Sequence, residues 1–85
     1  MDSRSSATVL LFARYAELVG AEQVQVRVAP GSDVRDVLQG LRAGHPGAAE
    51  LPDAPLCAVN HRQARLDDAV RPGDVVAFLP PLAGG

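Results

Sequence analysis

Apolar and polar positions divide the first third of the chain into two strands and a short helical turn. Residues 8–14 are apolar and β-branched over a short run, which predicts a buried strand. Residues 15–19 follow as one helical turn, and Gly20 is placed to end it in the left-handed conformation. Residues 22–29 then alternate, with valine on one face and glutamine or arginine on the other. This alternation predicts a half-exposed strand.

One longer helix is predicted after a proline-glycine turn. Ser32 or Asp33 can accept hydrogen bonds from the free N–H groups at its start. Gly44 followed by His45-Pro46 is placed to end it. Gly40 costs about 1 kcal/mol relative to alanine inside a helix, which points to close packing against a sheet. The apolar residues between these ends recur at helical spacing and form one stripe: Val34, Val37, Leu38 and Leu41.

The second half of the chain predicts short strands separated by turns. Proline and glycine make residues 47–55 an irregular crossing. Arg71-Pro72-Gly73-Asp74 has proline and glycine at its two central positions, the signature of a type II turn. Pro80-Pro81 ends the last strand because proline cannot donate to a strand ladder. The strands predicted here span residues 56–60, 63–66 and 75–79.

The order of these elements predicts an α+β fold of the β-grasp type, with one main helix packed across one face of a mixed sheet. A chain of 85 residues is short enough for a single domain over 1–85. Within it, residues 1–7 are expected to be a disordered N-terminus, and residues 80–85 an extended tail with a flexible Gly-Gly end. Hydrophobic residues make up 47% of the chain, which argues against disorder elsewhere.

Charge and composition argue against a nucleic-acid ligand, lysine chemistry, a membrane span and a disulfide. The formal net charge is −2 and the basic residues are dispersed, so no nucleic-acid ligand is expected. All eight basic residues are arginine, so no lysine side chain can form a Schiff base or accept an isopeptide bond. The first apolar run stops at Arg14, short of a membrane span or a signal segment. The single cysteine, Cys57, rules out an internal disulfide and favours the cytoplasm.

The candidate chemistry lies in the tail, Pro80-Pro81-Leu82-Ala83-Gly84-Gly85. Glycines lack a Cβ atom, so the end of the tail fits a channel too narrow for other residues, and a partner can bond its peptide groups. The terminal carboxylate would then reach a buried active site. A carboxylate is a poor electrophile and must first be activated, for example as an acyl-adenylate that a partner enzyme makes from ATP. Attack by sulfur on that anhydride would give a C-terminal thiocarboxylate.

The last strand also predicts a docking surface. Alternate residues of a strand face opposite ways, so one set of its apolar side chains must look away from the helix. An exposed apolar patch at the base of the tail would suit docking on an activating enzyme and on a second partner. Phe78 is explained equally well by core packing.

Two parts of the sequence resemble the MoaD family, the small subunits of molybdopterin synthase. The first is Val9–Gly20. The second comprises Leu56–Asn60 and Leu66–Gly85, with its Gly-Asp pair and its Pro-Pro-x-x-Gly-Gly ending. The resemblance implies the ubiquitin-like form of the β-grasp fold. The chain departs from the family at Cys57, where alanine or another small residue is common.

The resemblance implies a non-catalytic, sulfur-donating subunit. Gly85 would be adenylated by an E1-like enzyme that uses ATP, and a sulfur donor would convert it to a thiocarboxylate. The tail would then enter the large subunit of molybdopterin synthase, within a heterotetramer, and pass sulfur to cyclic pyranopterin monophosphate for molybdenum cofactor biosynthesis. The large subunit would supply the catalytic side chains, and this chain would bind no cofactor itself. The residues expected to contact partners are Gly84, Ala83, Leu82 and Pro81.

Three other functions are compatible with the sequence. Relatives with the same fold and the same Gly-Gly end serve thiamine biosynthesis, cysteine synthesis or tRNA thiolation, and Pro80-Pro81 favours the molybdopterin branch. A ubiquitin-like protein modifier would share the activation chemistry and join Gly85 to lysines of other proteins. A plain interaction domain with an incidental Gly-Gly end would tolerate deletion of Gly85.

The remaining polar residues are assigned structural roles. Cys57 and His61 have a Cys-x3-His spacing, but a metal site normally needs three or four protein ligands, and His45 is the other imidazole. No metal site is therefore predicted, and Cys57 is interpreted as a small buried thiol. Asp67-Asp68 and Asp74 lie in or beside turns, where aspartate bonds its own backbone.

Overall fold

The computed structural model describes residues 5–81, which form one five-stranded sheet with the strand order β2-β1-β5-β3-β4. The strands are β1 Ser6–Leu11, β2 Gln23–Arg27, β3 Leu56–Val59, β4 Arg62–Ala64 and β5 Val75–Leu79. The helices are α1 Arg14–Val19 and α2 Val34–Gly44, followed by a 3₁₀ helix over Pro46–Glu50. Among the residues described, no helix has the length and apolar character needed to cross a membrane.

The sheet is mixed, as predicted for the β-grasp fold. The two central strands, β1 and β5, are parallel, and Leu11 of β1 lies beside Phe78 of β5. The β1–β2, β3–β5 and β3–β4 pairs are antiparallel. Because β1 and β5 run in the same direction, their C-terminal ends lie side by side, at the end of the sheet where the tail begins.

The core lies between the sheet and α2. Val34, Val37 and Leu41 of α2 are completely buried, as predicted from their helical spacing. They meet the buried side chains of Val9, Val76 and Phe78 from the central strands in one apolar cluster. Burying a side chain of this size stabilises the fold by about 1.5–3 kcal/mol, so this layer holds the helix on the sheet. The α+β class is confirmed.

The two ends of α2 are formed in different ways. At the start, the backbone N–H of Asp36 donates to Asp33 Oδ1 at 3.0 Å, and the N–H of Asp33 donates to Asp36 Oδ2 at 3.1 Å. This reciprocal capping box confirms Asp33 as the cap. At the other end, Gly44 is still helical, and His45 has extended backbone angles of φ −140° and ψ 105°. Pro46 therefore ends the helix by excluding the helical conformation from the residue before it.

Three sequence predictions about local structure are wrong. The strand expected over residues 8–14 ends at Leu11, and Arg14 already belongs to α1. Of the residues 1–7 expected to form a disordered N-terminus, 1–4 lie outside the described part of the chain, and the prediction is wrong for Ser6 and Ala7, because both are buried in β1. Residues 47–55 were expected to be irregular, yet the crossing begins with the 3₁₀ helix. A Cβ atom at Gly47 would overlap the carbonyl oxygen of Leu18, so this helix packs directly on the backbone at the end of α1. Tertiary packing of this kind leaves no periodic signal in the sequence.

Candidate functional site

The tail leaves the sheet after Leu79, at the end of the sheet where β1 finishes and β3 begins. Leu79 pairs with Leu56, the first residue of β3, and Phe78 beside it pairs with Leu11 at the end of β1. Pro80 is half-buried and Pro81 is exposed. The other four predicted site residues lie outside the described part of the chain: Leu82, Ala83, Gly84 and Gly85.

Apolar side chains cover the face of the sheet opposite α2. In β5, Val76 and Phe78 are completely buried on the helix side, whereas Val75, Ala77 and Leu79 are half-buried and face the other way. The prediction that alternate apolar residues of the last strand face away from the helix is confirmed, and Phe78 belongs to the core. The strand register aligns further apolar residues on this side, which we call the outer apolar face: Leu10, Leu56, Ala58, Ala77 and Leu79.

A groove of about 360 Å³ opens at the base of the tail. Leu56 is its most exposed large side chain, with 53% of its surface accessible. Gln63 of β4 contributes the one polar side chain of the lining. The remaining lining residues are Cys57, Ala58 and Leu79. The groove is therefore a mostly apolar recess beside the point where the tail leaves the fold.

Phe12 is a second exposed apolar side chain at this end of the sheet. The sequence analysis did not identify it as a candidate contact residue. The ring is 44% exposed, and it follows the end of β1 directly. Ala13 turns the chain there with φ 50° and ψ −124°, and the N–H of Tyr15 donates to the carbonyl of Phe12 at 3.0 Å. A positive φ is unfavourable for alanine, so this turn is strained. The two-residue period of a strand could have found Phe12, because it follows Thr8 and Leu10 at alternate positions.

Cys57 is a buried thiol, as predicted. Only 4% of the residue is exposed, and its Sγ donates to the carbonyl oxygen of Ala64 at 3.3 Å. Burial, and then the negative charge of Asp68, raise the pKa of the Cys57 thiol above its ordinary value. The thiol therefore stays protonated and unreactive at neutral pH. Within residues 5–81, no group of three or more histidine, cysteine or acidic side chains is arranged to hold a metal ion.

The aspartates beside turns bond backbone N–H groups. Asp68 Oδ2 accepts a hydrogen bond from the N–H of Arg65 at 2.8 Å, and Asp74 Oδ2 accepts one from the N–H of Arg71 at 2.9 Å. The predicted type II turn is present, with Gly73 at φ 90° and the N–H of Asp74 bonded to the carbonyl of Arg71 at 3.0 Å. These aspartates shape turns, as expected.

The comparisons with known proteins agree with this geometry. The sequence model of the ThiS family matches residues 9–85. The chain belongs to the ThiS family. This ThiS-family chain is 38% identical over 79 residues to the molybdopterin synthase sulfur carrier subunit of Escherichia coli, covering 91% of this chain and 96% of the relative. It is 36% identical over 80 residues to the protein of that name in Haemophilus influenzae, with the same two coverages.

A solved structure gives the same fold. The crystal structure of SAMP1 from Haloferax volcanii, a small archaeal modifier protein, superposes on this ThiS-family chain with a TM-score of 0.81 and 34% identity. The match covers 94% of this chain and 99% of the SAMP1 chain. The resemblance to the MoaD and ThiS carriers and the ubiquitin-like β-grasp fold are therefore confirmed. Sulfur carriers and a protein modifier both stand among the relatives.

Proposed function

We propose that this chain is the sulfur carrier subunit of a molybdopterin synthase and that Gly85 carries the sulfur. One observation supports this most strongly: the family match extends through Gly85 in a chain that is 36–38% identical to two carrier subunits. The fold is compatible with the role, because the tail follows directly after β5, a central strand whose neighbours carry the outer apolar face. The acceptor would be cyclic pyranopterin monophosphate, in molybdenum cofactor biosynthesis.

The proposed chemistry takes place at the carboxylate of Gly85. An E1-like partner binds ATP, a carboxylate oxygen attacks the α-phosphate, and pyrophosphate leaves. Hydrosulfide, released by a sulfur donor, then attacks the carbonyl carbon of the acyl-adenylate; AMP leaves with its electron pair, and the proton of the new thioacid passes to water. The product is a thiocarboxylate, which is ionised at neutral pH and is a good nucleophile. This chain supplies the reacting end, and the partners supply the catalytic side chains.

The outer apolar face, together with Phe12, is the proposed docking surface for the large synthase subunit. If the tail inserts into a partner protein, that partner must also cover the surface of the carrier from which the tail emerges. Leu56 and Leu79 lie beside the point where the tail leaves the sheet, and Phe12 lies at the same end of the sheet. Burying the exposed half of a leucine side chain such as that of Leu56 contributes about 1 kcal/mol, so this surface supplies part of the binding free energy and the inserted tail would have to supply more. The E1-like enzyme would use the same surface, which makes activation and sulfur transfer sequential events.

Intact mass spectrometry tests the proposal. The protein is incubated with an E1-like enzyme, ATP and a sulfur source, alongside a variant that lacks Gly85. We expect a gain of about 16 mass units, the difference between sulfur and oxygen, in the full-length chain alone. A folded chain that shows no gain, or a variant that gains the same mass, would overturn the proposal.

The structural match to SAMP1 favours a protein modifier as the second candidate. In that case the activated carbonyl of Gly85 forms an amide with a lysine of another protein. The two functions share adenylation and differ in the acceptor. A lysine of a partner protein joined by an amide bond to the C-terminal peptide of this chain, found by peptide mass spectrometry after activation, would identify the modifier; because Arg71 is the last basic residue, cleavage at basic residues leaves a long branch that ends in Gly84-Gly85.

A further inference from the structure

Ala13 occupies a turn position at which glycine would be less strained. Its φ of 50° and ψ of −124° are those of the second residue of a type II′ turn, which the N–H of Tyr15 closes by donating to the carbonyl of Phe12 at 3.0 Å. Glycine dominates this position because it has no Cβ atom to clash with the backbone. An alanine in place of glycine at positive φ costs more stability than the lower entropy of the unfolded chain returns. Glycine would therefore suit the isolated fold better than alanine does.

The methyl group of Ala13 contributes little to the folded chain. The residue is exposed, and within residues 5–81 it belongs neither to the apolar core nor to the half-buried side chains packed against that core. The backbone of Ala13 is used, because its carbonyl accepts a hydrogen bond from the N–H of Glu17 at 3.2 Å. A glycine would accept the same bond equally well. The burial and hydrogen bonds of the described residues therefore give no reason for a side chain at position 13.

The other two positive-φ residues that are not glycine, within the described chain, have explanations of their own. They are Asn60 at φ 51° and His61 at φ 71°, in the turn after β3. The Asn60 side chain bonds Asp74 and the backbone of Val75, and histidine, like asparagine, is enriched at positive φ. This turn lies at the start of β5, so it is at the opposite end of the sheet from the tail. The explanations that hold for these two residues do not apply to Ala13.

We propose that the methyl group of Ala13 is a contact for the large synthase subunit and that docking compensates for the strained turn. The inference rests on the proposed function, because it requires that partner. Ala13 directly follows Phe12 at the end of the sheet where the tail begins, and both side chains are exposed, so the methyl group extends the proposed docking surface. The partner would present an apolar recess that takes the ring and the methyl group together. Burying one methyl group lowers the Kd about fourfold, or by about 0.8 kcal/mol.

The test combines isothermal titration calorimetry of the full chain with the purified large subunit and thermal unfolding of the free carrier. Ala13→Gly removes the methyl group and relieves the turn. We expect its Kd to be about fourfold above that of the wild type, while the Tm of the free carrier rises by a few degrees. His61→Gly is the matched control, since it also places glycine at positive φ, and it should leave the Kd unchanged. An unchanged Kd in Ala13→Gly, or a lowered Tm, would overturn the inference.

A D-alanine at position 13 separates lost contact from lost rigidity, because glycine also loosens the turn that holds Phe12. D-alanine favours positive φ and keeps the turn rigid, but its methyl group lies on the other side of Cα. The full chain carrying it is assembled by peptide ligation at Cys57. We expect its Kd to stay about fourfold or more above that of the wild type, whereas wild-type affinity would assign the effect to rigidity and overturn the inference. The proposed function is judged separately, by the sulfur-for-oxygen mass gain with the E1-like enzyme.

Discussion

Asn60 and Asp74 are joined by a 3.0 Å hydrogen bond from Asn60 Nδ2 to Asp74 Oδ1, which ties the β3–β4 turn to the turn before β5. Asn60 Oδ1 in turn accepts from the N–H of Val75 at 3.0 Å. Asparagine suits this position because its φ is 51°, in the region that asparagine tolerates well. The pair fixes where β5 begins, and β5 leads directly to the tail.

Stability should depend on the ionisation of Asp74. The backbone N–H of Arg71, followed by the Asn60 amide, lowers the pKa of Asp74 below its ordinary value of 3.8. A depressed pKa in the folded state gives stability that is present above the unfolded pKa and is lost as pH falls through the folded pKa. We expect Asp74→Asn to be less stable than the wild type at about pH 6, and the difference to shrink as pH falls below about 4.

Urea unfolding followed by circular dichroism at several pH values measures this difference. Asp67→Asn, a change at an exposed neighbouring aspartate, is the matched control and should leave the pH profile close to that of the wild type. A constant difference between the wild type and Asp74→Asn across the acid range would show that the carboxylate charge contributes nothing.

Gly40→Ala should destabilise the protein although alanine is the better helix former. The new Cβ atom would lie 2.7 Å from Val26 Cγ1, and the β-branched, buried valine has little freedom to move. Overpacking of this kind costs about 1–3 kcal/mol, which exceeds the gain of about 1 kcal/mol in helix propensity. We expect a net loss of about 1 kcal/mol in the free energy of unfolding.

The double variant Gly40→Ala/Val26→Ala separates the two effects. Removing Cγ1 should let the propensity gain appear, so that adding Gly40→Ala to the Val26→Ala background stabilises the protein. The two substitutions should therefore couple by about 1 kcal/mol or more in a double-mutant cycle. Additive effects would mean that the sheet does not restrict position 40.

Local sequence patterns correctly predicted the structural features that depend on residues close together in the chain. The stripe on α2, the Asp33 cap and the glycine turns each depend on a few neighbouring residues, and all are present. The start of β1 was missed because the Ser6 hydroxyl is accommodated by a distant partner, Gln25 Oε1 at 3.0 Å, which no local pattern reveals. Close backbone contacts placed the 3₁₀ helix beside Leu18 in the same non-local way.

The candidate site likewise has one part that could be predicted from the sequence and one part that could not. The composition of the tail was enough to suggest its chemistry, because a Gly-Gly end has few structural uses. The outer apolar face needed the register of three strands, since Leu10, Leu56 and Leu79 come together only through pairing with β5. Phe12 could have been found from the two-residue period that it shares with Thr8 and Leu10. The positive φ at Ala13, which turns the chain directly after Phe12, has no signal in the sequence, because alanine rarely adopts that conformation.

Cys57→Ala should retain full sulfur loading. The thiol is buried and protonated, so it is not expected to hold sulfur during transfer. The mass gain of about 16 units after activation should match that of the wild type, with a stability loss of about 1 kcal/mol from the lost packing. A Cys57→Ala protein that folds normally but gains no mass would instead make Cys57 a participant.

Leu56→Asp should weaken binding to the large synthase subunit without unfolding the carrier. Leu56 is 53% exposed at the tail base, so a carboxylate there remains hydrated in the free protein but must lose water in the complex. A buried, unpaired charge of this kind should raise the Kd by at least tenfold, or about 1.4 kcal/mol. Isothermal titration calorimetry with the purified large subunit measures the change.

Ala43→Asp is the matched control, because Ala43 is exposed on α2, across the fold from the outer apolar face. It introduces the same charge and should leave the Kd unchanged. Because the proposed insertion of the tail would add to binding, both variants are compared again in chains that lack residues 82–85. If the outer apolar face is the docking surface, Leu56→Asp must weaken the residual binding of the shortened chain as well. Equal Kd values for the two variants would leave the tail as the sole contact and remove the face from the interface.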